Sequence, residues 1–344
     1  MKHGMRAAFF TSGGRSIGFG HIRRCLSLAQ ALQNLNIESV FLFHGDSEIV
    51  DVVVAAGYQV ELLSSEQDLQ DSIRYCREHH VNVVVVDSYS LSTAGLWRLR
   101  DAIGYVAVLD DLADRDMPVD LVINGSAGAE RLCYRGMPNT AYLLGPRYLV
   151  LRKEFSDVPI GPIADSVARV LITVGGSDQN GLTRRLMRWT SRAVASVRQD
   201  IVVGPLFEHV DDLKAEARTL GEATVLHENS RDIRSLMLAS DLALCAGGQT
   251  AYELAATGTP AVAVRTAKNQ TINLEGLRSA GSLIWAGDVE DQDLEAKVTC
   301  ELLSLAQDAS RRAEMSRAGR MLVDGLGADR VAQALMEFAG TSGS

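Results

Sequence analysis

The chain has 344 residues, enough for two domains of roughly 150 residues each, and its 47% apolar and 22% charged residues form an ordinary globular composition that excludes disorder. A net charge of −9 argues against general nucleic-acid binding, which needs lysine and arginine to neutralise phosphates, but it leaves room for a local cationic pocket. The longest apolar runs, such as VVVV at 83–86, fall far short of the ~20 residues of a membrane span, and no signal-peptide core follows the start, so neither insertion nor export is expected.

Short β-branched runs alternate with helix-period segments along nearly the whole chain, the pattern of parallel sheets joined by crossover helices. The first run, RAAFFT, leads through a glycine-rich turn into GHIRRCLSLAQAL. There Ile22, Cys25, Leu26, Ala29 and Leu32 share one helical face at i, i+3, i+4, i+7 spacing, and His21 stands in the first turn, just ahead of the stripe. A glycine-rich turn at a helix start is an anion cradle in many folds. Here Gly18 and Gly20 supply two glycines of G-x-G-x-x-G, but Arg23 holds the third place, so a nicotinamide cofactor is not expected.

Further strands are predicted at ESVFLF, YQVELL, VNVVVVD and YVAVLD. The segment VVVVDSYSLS places Asp87 and Tyr89 at the C-terminal end of a buried strand, where first-domain chemistry would lie. The same residues also suit a plain turn at Asp87 and Ser88, a helix cap at Ser92 and a half-buried aromatic at Tyr89. Asp110 and Asp111, in VLDDLADR, carry the same two readings. His79 and His80 suit a helix C-terminus. Five scattered cysteines without a C-x-x-C pair, and no H-E-x-x-H, point to a reduced cytoplasmic protein without metal or other cofactor.

The linker is predicted in EFSDVPIGPIADS, giving a first domain over 1–158 and a second over 159–325. The second restarts about 160 residues after the first with ARVLITVGGSDQNG, again a strand, paired glycines and a helix. Gly175 and Gly176 make either a phosphate nest or a tight turn. Strands at IVV, ATVL, DLALCA, PAVAV and SLIWA follow. After DLALCA, Gly247 and Gly248 precede Thr250 and Glu253, whose T-x-x-E spacing is either a capping box or a site where glycines admit a diphosphate and Glu253 accepts from ribose hydroxyls. Asn269, Gln270 and Asn273 follow the next strand, as pocket residues or as loop and cap residues.

The fold class expected is α/β, GT-B-like: two doubly wound Rossmann-like domains facing across a cleft, with a last segment, 326–344, as a helix that packs back on the first domain.

The motif IGFGHIRRCLSLA resembles the G-x-G-H-x-x-R-C-x-x-L-A signature of the UDP-2,4-diacetamido-2,4,6-trideoxy-β-L-altropyranose hydrolases of pseudaminic acid synthesis. The resemblance runs on through VVVVDSYSLS, VLDDLADR, DLVINGS, YLLGPRYLVLRKEF, VGGSDQNGLT and AGGQTAYELAATGTP followed by NQ. More remotely, the second half resembles the lipid-linked N-acetylglucosaminyltransferase of peptidoglycan synthesis. The resemblance implies cleavage of an anomeric C–O bond with UDP leaving and water accepting. It implies His21 and Tyr89 as catalytic residues, Gly18, Gly20, Arg24 and Asp87 on the sugar side, and Gly176, Gly248, Thr250, Glu253, Asn269 and Gln270 around the nucleotide. It also implies a UDP-sugar substrate as partner and says nothing of the oligomeric state. Phe10 and Ser12 stand where that family usually has an arginine and an aspartate, and Gly125 where a larger polar residue is common. The competing functions are a glycosyltransferase with a UDP-sugar donor and a binding protein without activity.

Overall fold

The computed structural model describes residues 5–14, 20–65, 69–194, 196–230 and 232–341. The chain divides into two compact units, Met1–Lys153 with Gly325–Ser344, and Glu154–Asp324.

The first unit contains the strands β1 (Arg6–Gly13), β2 (Glu38–Gly45), β3 (Gln59–Leu62), β4 (Val83–Asp87) and β5 (Val106–Leu109), the two-residue strand β6 (Asp116–Met117), β7 (Leu121–Asn124), the two-residue strand β8 (Arg135–Gly136) and β9 (Ala141–Leu144). Seven of them form one sheet in the order β3-β2-β1-β4-β5-β7-β9, parallel throughout, while β6 and β8 pair separately. Helices α1 (Gly20–Asn34), α2 (Ser47–Ala55), α3 (Gln70–Glu78) and α4 (Thr93–Ile103) connect the strands. The central strands are apolar on both faces because helices cover both, and β4 is buried along its whole length. Phe10 of β1 packs in the core with Ala8, Val86 and Val108.

Helix α1 buries a wider face than one stripe. Ile22, Cys25, Ala29 and Leu32 are buried as predicted, but Leu28 is buried and Leu26 only half so. The reason is that α1 packs on β1 and β2 and also on the last helix of the chain.

The second unit runs β10 (Arg169–Thr173), α5 (Leu182–Ala193), β11 (Arg198–Val203), α6 (Val210–Leu220), β12 (Thr224–Glu228), α7 (Ile233–Leu238), β13 (Leu242–Ala246), α8 (Gln249–Thr257), β14 (Ala261–Arg265), α9 (Thr271–Ser279), β15 (Leu283–Asp288), α10 (Leu294–Gln307) and α11 (Ala309–Leu322). Its six strands lie in the order β12-β11-β10-β13-β14-β15, all parallel, over a core that includes Ile172, Leu186, Ile201, Leu244, Val262 and Val298. This is the strand order of a dinucleotide-binding sheet.

The last helix, α12 (Gly327–Thr341), belongs to the first unit. Lys153 donates to Asp329 at 2.9 Å, Arg330 donates to the Arg147 carbonyl at 3.0 Å, and Phe338 stacks on Tyr105 with ring centres 6.3 Å apart. The main chain of Leu149 passes so close to Gly125 and Gly327 that a Cβ at either would strike it. That close approach leaves no room for a side chain at Gly125.

In each unit the winding reverses beside the first strand, between β1 and β4 and between β10 and β13. The crevice at the C-terminal ends of such strands is where open α/β sheets bind ligands.

Candidate active site

At the first switch point Thr11 of β1 is in register with Asp87, the last residue of β4. Asp87 is fully buried and accepts from three side chains of α1. Arg24 donates from Nε to Oδ2 at 2.9 Å and from Nη2 to Oδ1 at 2.7 Å, His21 Nδ1 donates to Oδ1, and the Cys25 thiol lies 3.6 Å from Oδ2. An ionised carboxylate only accepts, so the proton of a neutral His21 sits on Nδ1 and Nε2 carries the lone pair. The third Arg24 nitrogen, Nη1, donates to Asp111 Oδ1 at 2.8 Å, and the Tyr89 hydroxyl donates to Asp111 Oδ2 at 2.7 Å. The imidazole and the Tyr89 ring meet edge to face, centres 4.5 Å apart at 79°. Six residues, from α1, the end of β4 and the segments that follow β4 and β5, thus form one continuous network. Ser92 does cap α4, accepting from the Gly95 amide at 3.2 Å.

The charges in this network set its protonation. Burial works against the Asp87 anion, but Arg24 and then His21 outweigh it and hold the carboxyl well below its usual range. Asp111 is lowered in the same way, burial being overcome by Arg24. For His21, burial favours the neutral ring, yet the Asp87 carboxylate beside it prevails and the imidazole is raised above its ordinary value. The positive end of α1 by itself would hold the imidazole below that value, but a buried carboxylate in direct contact outweighs the partial charge of a helix end. Burial and the neighbouring Asp87 push the Cys25 thiol well up, which makes it inert.

Asp110 points elsewhere. Its Oδ2 accepts from the amides of Leu112 and Ala113 at 2.9 and 2.7 Å and from the Tyr134 hydroxyl at 3.0 Å, and burial raises it. It braces the turn after β5. Of the two adjacent acids, only Asp111 joins His21. Neither its role nor that of Tyr134 is separable in the sequence, where Asp110 and Asp111 stand side by side after β5.

Gly20 opens α1 and a Cβ there would meet no described atom within 4 Å; Gly18 lies outside the described residues.

In the second unit Gly175 has φ +109°, a conformation that favours glycine and that the turn after β10 uses. The Asp178 carboxylate accepts from the amides of Leu182 and Thr183, both at 2.8 Å, so α5 begins already capped by an anion. Helix α8 differs: its N-cap is Gly248, which has no side chain to cap it. The capping-box reading of Thr250 and Glu253 therefore fails, since Thr250 lies inside the helix rather than at its cap. Gly248 has φ −83°, which any residue adopts, and a Cβ there would approach only Gln270 Nε2, at 3.9 Å. Gly247, by contrast, is required by packing, because a Cβ would run into Leu274. Glu253 is buried in α8. Gln270 folds back on Thr266, accepting from its amide at 2.9 Å, while Asn269 beside it is exposed. Asn273 accepts from the Tyr252 hydroxyl at 2.9 Å and donates to the Gly247 carbonyl at 3.4 Å. Gly248, Thr250 and Gln270 thus cluster at the C-terminal ends of β13 and β14. Gly176 follows β10 at the same edge.

Among the described residues no group of three or more His, Cys, Asp or Glu is placed to hold a metal ion, and no helix is long and apolar enough to cross a membrane.

No family model matches the chain. It is 26% identical over 269 residues to an uncharacterised protein of Methanocaldococcus jannaschii, covering 75% of this chain and 55% of that protein. It is 21% identical to the spore coat polysaccharide biosynthesis protein SpsG of Bacillus subtilis over 97% of this chain and 98% of that one. It is 23% identical to a Helicobacter pylori protein named pseudaminic acid cytidylyltransferase and UDP-2,4-diacetamido-2,4,6-trideoxy-β-L-altropyranose hydrolase, over 77% of this chain and 45% of that protein. The chain spans about half the length of the first and third of these relatives. Among solved structures, MurG of Acinetobacter baumannii matches with a TM-score of 0.67 at 16% identity over 97% of this chain and 99% of that one. The calicheamicin glycosyltransferase CalG4 matches with a TM-score of 0.65 at 15% identity over the whole of both chains. The fold is therefore α/β of the GT-B kind, with two Rossmann-like units.

Proposed function

We propose that the protein acts on a nucleotide-linked sugar, and specifically that it hydrolyses a UDP-linked diacetamido-trideoxy sugar at the anomeric carbon. The observation that carries the reading is the contact of His21 with the buried Asp87 at the switch point of the first sheet. Asp87 fixes the tautomer and favours the imidazolium that forms when Nε2 takes a proton, the role of the acid in a hydrolytic His–Asp pair. In the reaction, the water oxygen bonds to the anomeric carbon and its proton passes to His21 Nε2. The bond from that carbon to the diphosphate oxygen breaks, and the electron pair leaves with UDP. His21 then returns its proton to solvent.

Asp87 and Arg24 act as positioning residues, because their polar atoms are taken up by one another, His21 and Asp111. Tyr89 already gives its proton to Asp111, so it offers its oxygen as an acceptor. The diphosphate is assigned to α8, whose N-cap Gly248 carries no side chain and whose positive end suits an anion, rather than to α5, where Asp178 occupies that place. Glu253 is assigned to the ribose, Gly248 to close approach of the phosphates, and Gly176, Thr250, Asn269 and Gln270 to the surround of the nucleotide. The preference for water over another acceptor rests on the resemblance of the GHIRRC motif and on the named H. pylori relative.

A second reading, transfer to a sugar or lipid hydroxyl, is favoured by the fold, which is that of glycosyltransferases. Purified protein is to be incubated with a panel of UDP-sugars with and without acceptors while released UDP is measured. Release without acceptor, unchanged by a chelator, is the expected outcome. Release only with acceptor makes the protein a transferase, and binding without release makes it a sugar-nucleotide binding protein.

A further inference from the structure

The network around His21 contains more charge than a His–Asp pair needs. Asp87 alone would serve as the partner of the imidazole, yet Arg24 occupies both of its oxygens and, in water-poor surroundings, would cancel its charge. Asp111 lies on the other arm of the same guanidinium, its side chain as well shielded as that of Arg24, each 17% exposed. Two carboxylates against one guanidinium leave one net negative charge, and the ring of His21 is in contact with it. We propose that Asp111 is a positioning residue that, by neutralising Arg24, leaves the charge of Asp87 available to hold the His21 imidazolium.

The groups that face His21 from the elements packed around it are, among the described residues, Asp87 at the end of β4, Arg24 and Cys25 on α1, Tyr89 after β4 and Asp111 after β5. Of these the Cys25 thiol, pushed well up by burial, stays neutral near pH 7, so the balance rests on the two acids and the guanidinium. Asp110, though adjacent in sequence, turns its carboxyl to Tyr134 and the turn amides and takes no part. Arg24 thus serves as a conductor between two acids: it rigidly positions Asp87, as a bidentate pair does, without silencing it, because Asp111 carries the compensating charge.

The inference rests on the proposed function only for the use made of His21 in catalysis. Its test needs no substrate. In the ligand-free protein, the imidazole of His21 is titrated by NMR, its signal identified by its loss in His21→Gln. Counting charges, Asp111→Asn lowers the His21 pKa by about 1 pH unit, as expected for removing one nearby shielded charge. Arg24→Gln raises it by a similar amount, and the double variant returns it close to the wild-type value. A purely structural role for Asp111 predicts no return in the double variant. An unmoved titration in folded Asp111→Asn, or a shift that the double variant does not reverse, overturns the proposal. If Asp111→Asn does not fold, Arg24→Gln and the double variant carry the test, and a failure of the second acid's removal to bring the raised value back down overturns it equally. Absence of UDP release with this pattern intact removes the hydrolase reading and leaves the charge balance standing.

Discussion

Arg24 grips Asp87 through two hydrogen bonds, Nε to Oδ2 at 2.9 Å and Nη2 to Oδ1 at 2.7 Å, and Asp87 has no solvent exposure at all. Cutting Arg24 back to methionine keeps most of the volume but leaves Asp87 and Asp111 without their shared cation. Removing one partner of a buried pair costs about 3–5 kcal/mol, because a charge is stranded in a medium that solvates it poorly. Urea unfolding of Arg24→Met is therefore expected to show a loss of that order in the transition of the first unit. A change within about 0.5 kcal/mol, the range of ordinary surface substitutions, would mean that water reaches the pair.

His21→Gln tests the base directly. The amide keeps a donor toward Asp87 but has no basic nitrogen, so kcat is expected to fall by roughly 10² to 10⁴, about 3 to 5 kcal/mol in the barrier. UDP affinity, assigned to the second unit, is expected to stay put in calorimetry. A folded variant that releases UDP at near the wild-type rate would falsify the base role.

The pH dependence follows from the direction of the His21 shift. A base must be neutral, so the rate falls as pH drops through the imidazole pKa, which the Asp87 carboxylate has raised above ~6.5. Stability runs the other way. A group whose folded pKa is raised contributes stability that is complete below its unfolded pKa and is lost as pH climbs through the folded one. Asp87, whose folded pKa is depressed, contributes stability above its unfolded value of ~3.9 that is lost as pH falls through the folded one. The pair is thus most stabilising in mildly acidic solution, where its base is protonated and idle. Rates and the melting difference between wild type and His21→Gln, both scanned across pH, check this. An acid limb with its midpoint below ~6.5 contradicts it.

Much of the fold is legible in the sequence. Alternating β-branched runs and helix-period segments predict both Rossmann-like sheets, because parallel strands covered on both faces must be apolar throughout. The strands β7 and β9 escape such a reading. Both are four residues long, and β9 is an edge strand with Tyr142 exposed, so neither carries a long apolar run. His21 stands out because a histidine at the mouth of a glycine-opened helix has no packing reason to be there. Its partner does not: that Asp87 rather than the helix end controls its proton depends on β1 and β4 being neighbours, a fact of topology. The same holds for Asp111, which meets Arg24 and Tyr89 only because β4 and β5 are adjacent. In the second unit the spacing T-x-x-E matches a capping box, but the helix starts two residues earlier than that box requires, at Gln249, and takes Gly248 as its cap. Local pattern alone does not fix where a helix begins.

Gly248 offers the cleanest test of the nucleotide site, since the protein itself gives no reason for a glycine there. Its φ of −83° suits any residue, and a new Cβ would find only Gln270 Nε2, at 3.9 Å. Gly248→Ala is therefore expected to leave stability within about 0.5 kcal/mol of wild type. If phosphates approach the main chain at this point, the methyl group stands in their way, and UDP affinity is expected to fall by at least tenfold, about 1.4 kcal/mol. Glu253→Ala provides the companion measurement: loss of charge-assisted bonds to the ribose should weaken UDP by about 1–3 kcal/mol. Gly247→Ala is the contrast, because there the new Cβ meets Leu274 and the damage should appear in stability first. Calorimetry with UDP and urea titrations on the three variants separate the outcomes. Unchanged UDP affinity in both Gly248→Ala and Glu253→Ala would move the nucleotide away from α8 and return the glycine to an unexplained turn.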